Sequence, residues 1–177
     1  MEKEKTIMDY DTVSLDDEND AVVIIDQTLL PGRTELIRLK TAEEIWNAIY
    51  LLKVRGAPAI GVTAAFGIYL LAKACREENY DRFLAEFRKN KEYLDSSRPT
   101  AVNLSWALNR MERVVMENAD CPVPQIVSLL KREAEEIRDE DIRVCRKIGE
   151  YGLTLVKKGD GILTHCNAGQ LATVRYG

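Results

Sequence analysis

Histidine is almost absent from this sequence. Only His165 occurs in 177 residues, and the four cysteines, Cys75, Cys121, Cys145 and Cys166, stand far apart with no C-x-x-C pair among them. The spacings that hold zinc are therefore missing, and no cluster of other ligands takes their place. The glycine fingerprint of dinucleotide sites is missing as well, so neither a metal nor a cofactor is expected. Charge of one sign is also lacking: 25 basic residues are interleaved with 29 acidic ones for a net charge of −4. That balance excludes the electrostatic footprint of a protein built for nucleic acid or an anionic membrane. A small molecule or another protein is the expected partner. Residues 1 to 20 are mostly charged and polar, with no basic stretch leading into an apolar one, so no secretory leader is read there. Free thiols in a reducing cytoplasm follow. Internal repeats and low-complexity tracts are not found.

What is present is a hydrophobic fraction of 46%, enough over this length for a buried core. Gly56 to Ala72 carries no formal charge, and its length is near the lower limit of about 17 residues for a membrane span. Its content argues otherwise. Pro58, three glycines and many alanines replace the usual Leu and Phe, and aromatic anchors do not flank it, so a helix enclosed by protein is expected.

Ala21 to Ile25 is a β-branched run, and Thr34 to Leu39 alternates apolar with polar residues across Pro31-Gly32, which predicts two strands of a small sheet. Thr41 followed by Glu44 has the capping-box pattern, and Ile45, Trp46, Ile49 and Leu52 recur at helical spacing, predicting a helix from about 42 to 54. Further helices read over 58–76, 80–93 and 101–118, and a long charged one runs from about Pro124 to Lys157. After Gly159-Asp160-Gly161 the run Ile162-Leu163-Thr164-His165 leads into Cys166-Asn167-Ala168-Gly169 and then helix formers, which predicts strand, tight turn and helix start. That pattern opens a βα unit. The expectation is an α/β protein in two parts: residues 1–158, a mostly helical domain with a small β-sheet that ends in a long linking helix, and 159–177, the first strand-turn-helix of a truncated Rossmann-like domain. A lone half-unit cannot bury both its faces, so the chain reads as a fragment.

Three segments carry candidate chemistry. Arg55-Gly56-Ala57-Pro58 places an arginine beside an open helix N-terminus, whose free N–H groups and positive dipole suit a phosphate or sugar oxygen. The alternative is a glycine turn with Arg55 in a salt bridge. Gly56 to Thr63 also mimics a P-loop, but Val62 occupies the place of the required lysine, which excludes a nucleotide triphosphatase. Arg98-Pro99-Thr100-Ala101 repeats the arrangement, with Thr100 as the expected cap of the next helix. Cys166 falls at the carboxyl end of a predicted strand and just ahead of a helix, a place that favours a thiolate and where open α/β sheets collect ligands. His165 is not its base, since neighbours on a strand point to opposite faces. The alternative for Cys166 is a small apolar filler, the reading given to Cys75, Cys121 and Cys145.

Together with Ile25-Asp26-Gln27-Thr28-Leu29-Leu30-Pro31, the strings Lys53 to Gly61, Ser97 to Leu104 and Thr164 to Gly169 resemble the methylthioribose-1-phosphate isomerases in the same order and at similar separations, over residues 10 to 177. The resemblance implies substrate bound between a helical N-terminal domain and a Rossmann-like one, and aldose–ketose isomerisation of a sugar 1-phosphate in methionine salvage. It implies that Arg55, Gly56, Ala57 and Arg98 bind substrate and that Cys166 is catalytic, while the family's catalytic aspartate lies beyond Gly177. A homodimer is implied too. Relatives that share this architecture with other roles are isomerases of 5-deoxyribose 1-phosphate or ribose 1,5-bisphosphate and regulatory subunits of the initiation-factor exchange complex. The presence of Cys166 and both arginine motifs favours an enzyme.

Overall fold

The computed structural model describes residues 7–177. Three strands, β1 (Val13–Asp16), β2 (Ala21–Ile25) and β3 (Leu36–Leu39), form an antiparallel sheet in the order β1-β2-β3. Val13 pairs with Ile24 across the first hairpin, and Val22 pairs with Leu39 across the second. Five helices follow: α1 (Ala42–Tyr50), α2 (Ala57–Ala74), α3 (Tyr80–Asp95), α4 (Val102–Glu117) and α5 (Val123–Leu153). The mostly helical body with a small sheet is therefore as expected. Strand β1 was not anticipated, because its four residues run directly into the acidic stretch that makes residues 1 to 20 look uniformly polar.

Helix α2 is the axis of the molecule. It is apolar on every side, so no single face can turn to water, and α1, α3, α4, α5 and the sheet surround it. Although α2 has the length and composition of a membrane span, 72% of it is buried within the protein. Small residues let its neighbours approach. A Cβ at Gly61 would stand 2.9 Å from the Asn103 carbonyl oxygen of α4, and one at Gly67 would stand 3.0 Å from Ile45 of α1. Phe66, Ile24, Ile45, Leu104 and Ile126 fill the resulting core.

Polar ties fix the outer elements. The Thr41–Glu44 capping box opens α1 as read from the sequence, and the Asn79 side chain caps α3. Arg110 of α4 pairs with Glu133 and Glu140 of α5, and Lys91 and Arg88 of α3 reach Glu112 of α4. Between β1 and β2, Asp17 accepts hydrogen bonds from Tyr69 Oη at 2.6 Å, Lys73 Nζ at 2.9 Å and Lys131 Nζ at 2.7 Å, locking the hairpin to α2 and α5.

Residues 162–165 correct the sequence reading. They form no strand, and the only later regular element is a single 3-10 turn at Gln170–Ala172 in place of a helix. A parallel strand must hydrogen-bond to neighbours, and among the described residues the other strands are all committed to the antiparallel sheet. Leu163 is consequently 96% exposed. The chain then returns to the body, where Ala172, Thr173 and Val174 are buried.

Candidate functional site

The segment between α1 and α2 is built to present Arg55. The Lys53 and Val54 N–H groups donate back to the Ala48 carbonyl, Val54 is fully buried, and the Gln27 N–H donates to the Lys53 carbonyl at 2.9 Å. Arg55 is left exposed between the Val54 anchor and Gly56. Gly56 is the N-cap of α2, offers no side-chain cap, and is followed by exposed Ala57 and by Pro58 in the first turn. The N–H groups of that turn have no intrahelical acceptor, and the positive end of the helix dipole favours an anion beside them. Among the described residues Arg55 makes no ion pair.

Helix α4 opens in the same way. Its N-cap is Ala101 rather than Thr100, with no side-chain hydrogen bond to the first turn. Thr100 is not the cap because the chain turns one residue later: the Ala101 N–H donates to the Arg98 carbonyl at 2.9 Å, and the helix begins at Val102. Arg98, half-buried, also makes no ion pair among the described residues, though Arg76, Arg113 and Arg132 share that property. What distinguishes Arg55 and Arg98 is position, each on the loop that enters an uncapped helix.

Helices α2 and α4 cross near their first turns. Gly61, one turn into α2, rests on Asn103 in the first turn of α4, with space for no side chain between them. Beside this crossing lies a cleft of about 170 Å³, lined by Pro58 and Val62 of α2, Asn103 and Trp106 of α4, and Ile137 and Asp141 of α5. Burial pushes the Asp141 carboxyl above its ordinary pKa, against the opposing hydrogen bonds from the Val174 N–H at 2.7 Å and the Cys145 thiol. Burial, then the nearby Asp141, raises the Cys145 thiol. That shift disfavours the Cys145 thiolate, and all four cysteines are unpaired.

Cys166 is exposed, in an irregular bend with a φ of 64°. The strand end and helix start on which its activation was expected are not formed, and no hydrogen bond joins it to Arg55 or Arg98. Its loop is nevertheless tethered to the Arg55 loop. A Cβ at Gly56 would overlap the Cα and carbonyl of Ala172, so the returning chain lies directly on the N-cap of α2. Thr12 holds that chain through the Gln170 and Val174 carbonyls at 2.9 and 3.0 Å, and Gln27 Nε2 donates to the Leu171 carbonyl at 2.8 Å. Ala172 is six residues after Cys166, so their Cα atoms lie within about 22 Å of each other. Thr12, Gln27 and Asp141 were not singled out from sequence. Gln27 alone had a signal there: a long amide two residues past an apolar run, inside a string shared with the isomerases.

The sequence profile of the initiation factor 2 subunit family matches residues 53–175. The chain is 56% identical over 165 residues to a methylthioribose-1-phosphate isomerase of Symbiobacterium thermophilum, covering 93% of this chain and 46% of that protein. It is 53% identical to a 5-deoxyribose 1-phosphate isomerase of Clostridium botulinum, with coverage of 93% and 47%. The crystal structure of 5-methylthioribose 1-phosphate isomerase from Pyrococcus horikoshii superposes with a TM-score of 0.87 at 43% identity, over 94% of this chain and 46% of that one. The delta subunit of translation initiation factor eIF-2B from A. fulgidus follows at 0.83 and 39%, over 95% and 48%. The chain thus spans about half the length of the relatives it matches. With a profile match over most of its length and the same helical body in solved relatives, this chain belongs to the initiation factor 2 subunit family.

Proposed function

We propose that this chain is the substrate-anchoring part of a pentose 1-phosphate isomerase that converts S-methyl-5-thioribose 1-phosphate to S-methyl-5-thioribulose 1-phosphate in methionine salvage. The observation that carries this reading is the crossing of α2 and α4 near their first turns, each helix uncapped and entered through a loop whose arginine makes no ion pair among the described residues. A phosphate dianion there meets the guanidinium groups of Arg55 and Arg98 and the amides at Gly56 and Ala57, a donor set suited to its oxygens. Moving hydrogen between C2 and C1 of the sugar then needs an acid–base pair held against the anchored phosphate. Cys166 is one member of that pair in this reading. Residues 159–177 open the second domain, whose remaining part supplies a carboxylate partner. The lengths of the relatives, about twice that of this chain, support the division.

The Clostridium relatives favour a second substrate, 5-deoxyribose 1-phosphate. It differs only in an apolar substituent on C5, a difference worth about 1–3 kcal/mol in a hydrophobic pocket. Competition between the two sugars separates these readings. The class itself is tested in the full-length protein by following aldose consumption. Cys166→Ser lowers turnover by about 100-fold or more while substrate affinity changes little, whereas Arg98→Ala chiefly weakens binding. Undiminished turnover in Cys166→Ser ends the assignment. Residues 1–177 alone bind the sugar phosphate without turnover, and measured turnover by them would show that no outside carboxylate is needed.

A further inference from the structure

Gln27 is hydrogen-bonded both to the loop that carries Arg55 and to the segment that follows Cys166. It lies in the short turn after β2 and is only 3% exposed. Its backbone is fixed on both sides: the Asp26 N–H donates to the Glu35 carbonyl at 2.9 Å, and the Asp26 carboxylate accepts from the Thr28 N–H and hydroxyl. From that position its own N–H holds the Lys53 carbonyl, two residues before Arg55, and its side-chain amide holds the Leu171 carbonyl, five residues after Cys166. Gly56 against Ala172 closes the ring. Lys53, Gly56, Ala172 and Leu171 thus form a buckle with Gln27 as its pin.

We propose that Gln27 is a positioning residue, clamping the loop that anchors phosphate to the loop that carries the Cys166 thiol. The proposal rests on the isomerase reading above. Chemistry explains the residue type. The Leu171 carbonyl is an acceptor, so its buried partner must donate, and an amide donates while remaining neutral at every pH. A carboxylate in its place would set one acceptor against another. A thioether of the same length would leave the carbonyl unpaired. Neither change touches the substrate, so the consequence is a misplaced thiol relative to an anchored phosphate, and misplacement by about 1 Å is enough to slow a reaction about 100-fold.

The test uses the full-length protein and S-methyl-5-thioribose 1-phosphate, with kcat and KM measured across pH and Cys166 alkylation by iodoacetamide measured with and without the sugar phosphate. Gln27→Met is expected to lower kcat by about 10- to 100-fold with KM nearly unchanged, and to abolish shielding of Cys166 by bound substrate. Gln27→Glu shows the same loss at neutral pH but regains kcat as pH falls, because a protonated carboxyl again donates to the Leu171 carbonyl. Wild-type kcat and shielding in Gln27→Met would overturn the clamp while leaving the isomerase reading intact. A loss in Gln27→Glu that low pH does not reverse, with kcat and KM changing together, would reduce Gln27 to a structural residue. A wild-type protein without turnover and without shielding would remove both proposals.

Discussion

Ala21–Ile25 and Ile162–His165 are two short apolar runs bounded by acidic or glycine-rich turns, and the chain treats them in opposite ways. The first is the central strand of the sheet, paired on one edge to β1 and on the other to β3, with Ile24 wholly buried. The second has no regular structure, and its leucine is almost wholly exposed. Composition does not separate them, for both are apolar runs flanked by turn residues. Availability of partners does. β2 has a hairpin on each side within 18 residues of sequence, whereas a parallel strand at 162–165 requires neighbours that the described chain does not contain. A hydrophobic run therefore specifies a strand only jointly with the surface that covers it.

Substitution can put numbers on that contrast, beginning where burial is complete. Ile24→Ala removes a side chain that packs between the sheet and α2, leaving a cavity that the closely packed helix cannot refill. It is expected to destabilise the protein by about 2–5 kcal/mol in denaturant titration. A cost below about 1 kcal/mol would mean that the sheet is not part of the cooperative core.

The same contrast governs what could be read from sequence. The five helices were legible, α1 from its spacing and capping box and α2 from its uncharged, small-residue content, which calls for cover on every side. The capping box of α1 was legible to the atom, with Glu44 accepting from the Thr41 N–H at 3.0 Å and the Thr41 hydroxyl accepting from the Glu44 N–H at 3.2 Å. The Arg55 and Arg98 loops were legible as helix entries. The crossing of α2 and α4 was not, since it depends on the close approach that Gly61 allows, and a glycine in a long apolar helix announces nothing about its neighbour. The tether from Gln27 to Leu171 spans 144 residues and leaves no periodic trace. No strand forms ahead of Cys166, because the local pattern at 162–165 has no tertiary partner among the described residues.

A middle-sized effect tests why the β1–β2 turn is fixed while the 159–169 loop is not. Asp17 in that turn receives three side-chain hydrogen bonds from α2 and α5, whereas in the 159–169 loop Asp160 accepts only from the Lys157 N–H nearby. Burial alone would raise the Asp17 pKa, but the bonds from Lys131, Tyr69 and Lys73 outweigh it and hold the carboxyl well below the usual carboxylate range. A carboxyl whose folded pKa is depressed stabilises the protein above its unfolded pKa near 4, and that contribution is lost as pH falls. Asp17→Asn is therefore expected to cost about 1–2 kcal/mol at pH 7. The gap between variant and parent closes as pH drops below about 4. A gap that stays constant down to about pH 2 would show that the carboxylate charge contributes nothing to the tie.

The smallest expected effect is the most diagnostic. Leu163→Ala alters the residue that a strand reading would bury, and in a completed sheet that change would cost about 2–5 kcal/mol. In residues 1–177 the side chain is 96% exposed, so its removal uncovers no apolar surface and opens no cavity; the expected change is within about 0.5 kcal/mol. The same substitution in the full-length protein separates the two conditions for a strand. If a second half like that of the relatives supplies the missing neighbours, the cost rises to the level of Ile24→Ala although the local sequence is the same. If it stays near zero in both lengths, Ile162–His165 is a loop in its own right, and Cys166 sits on a loop rather than at the end of a strand.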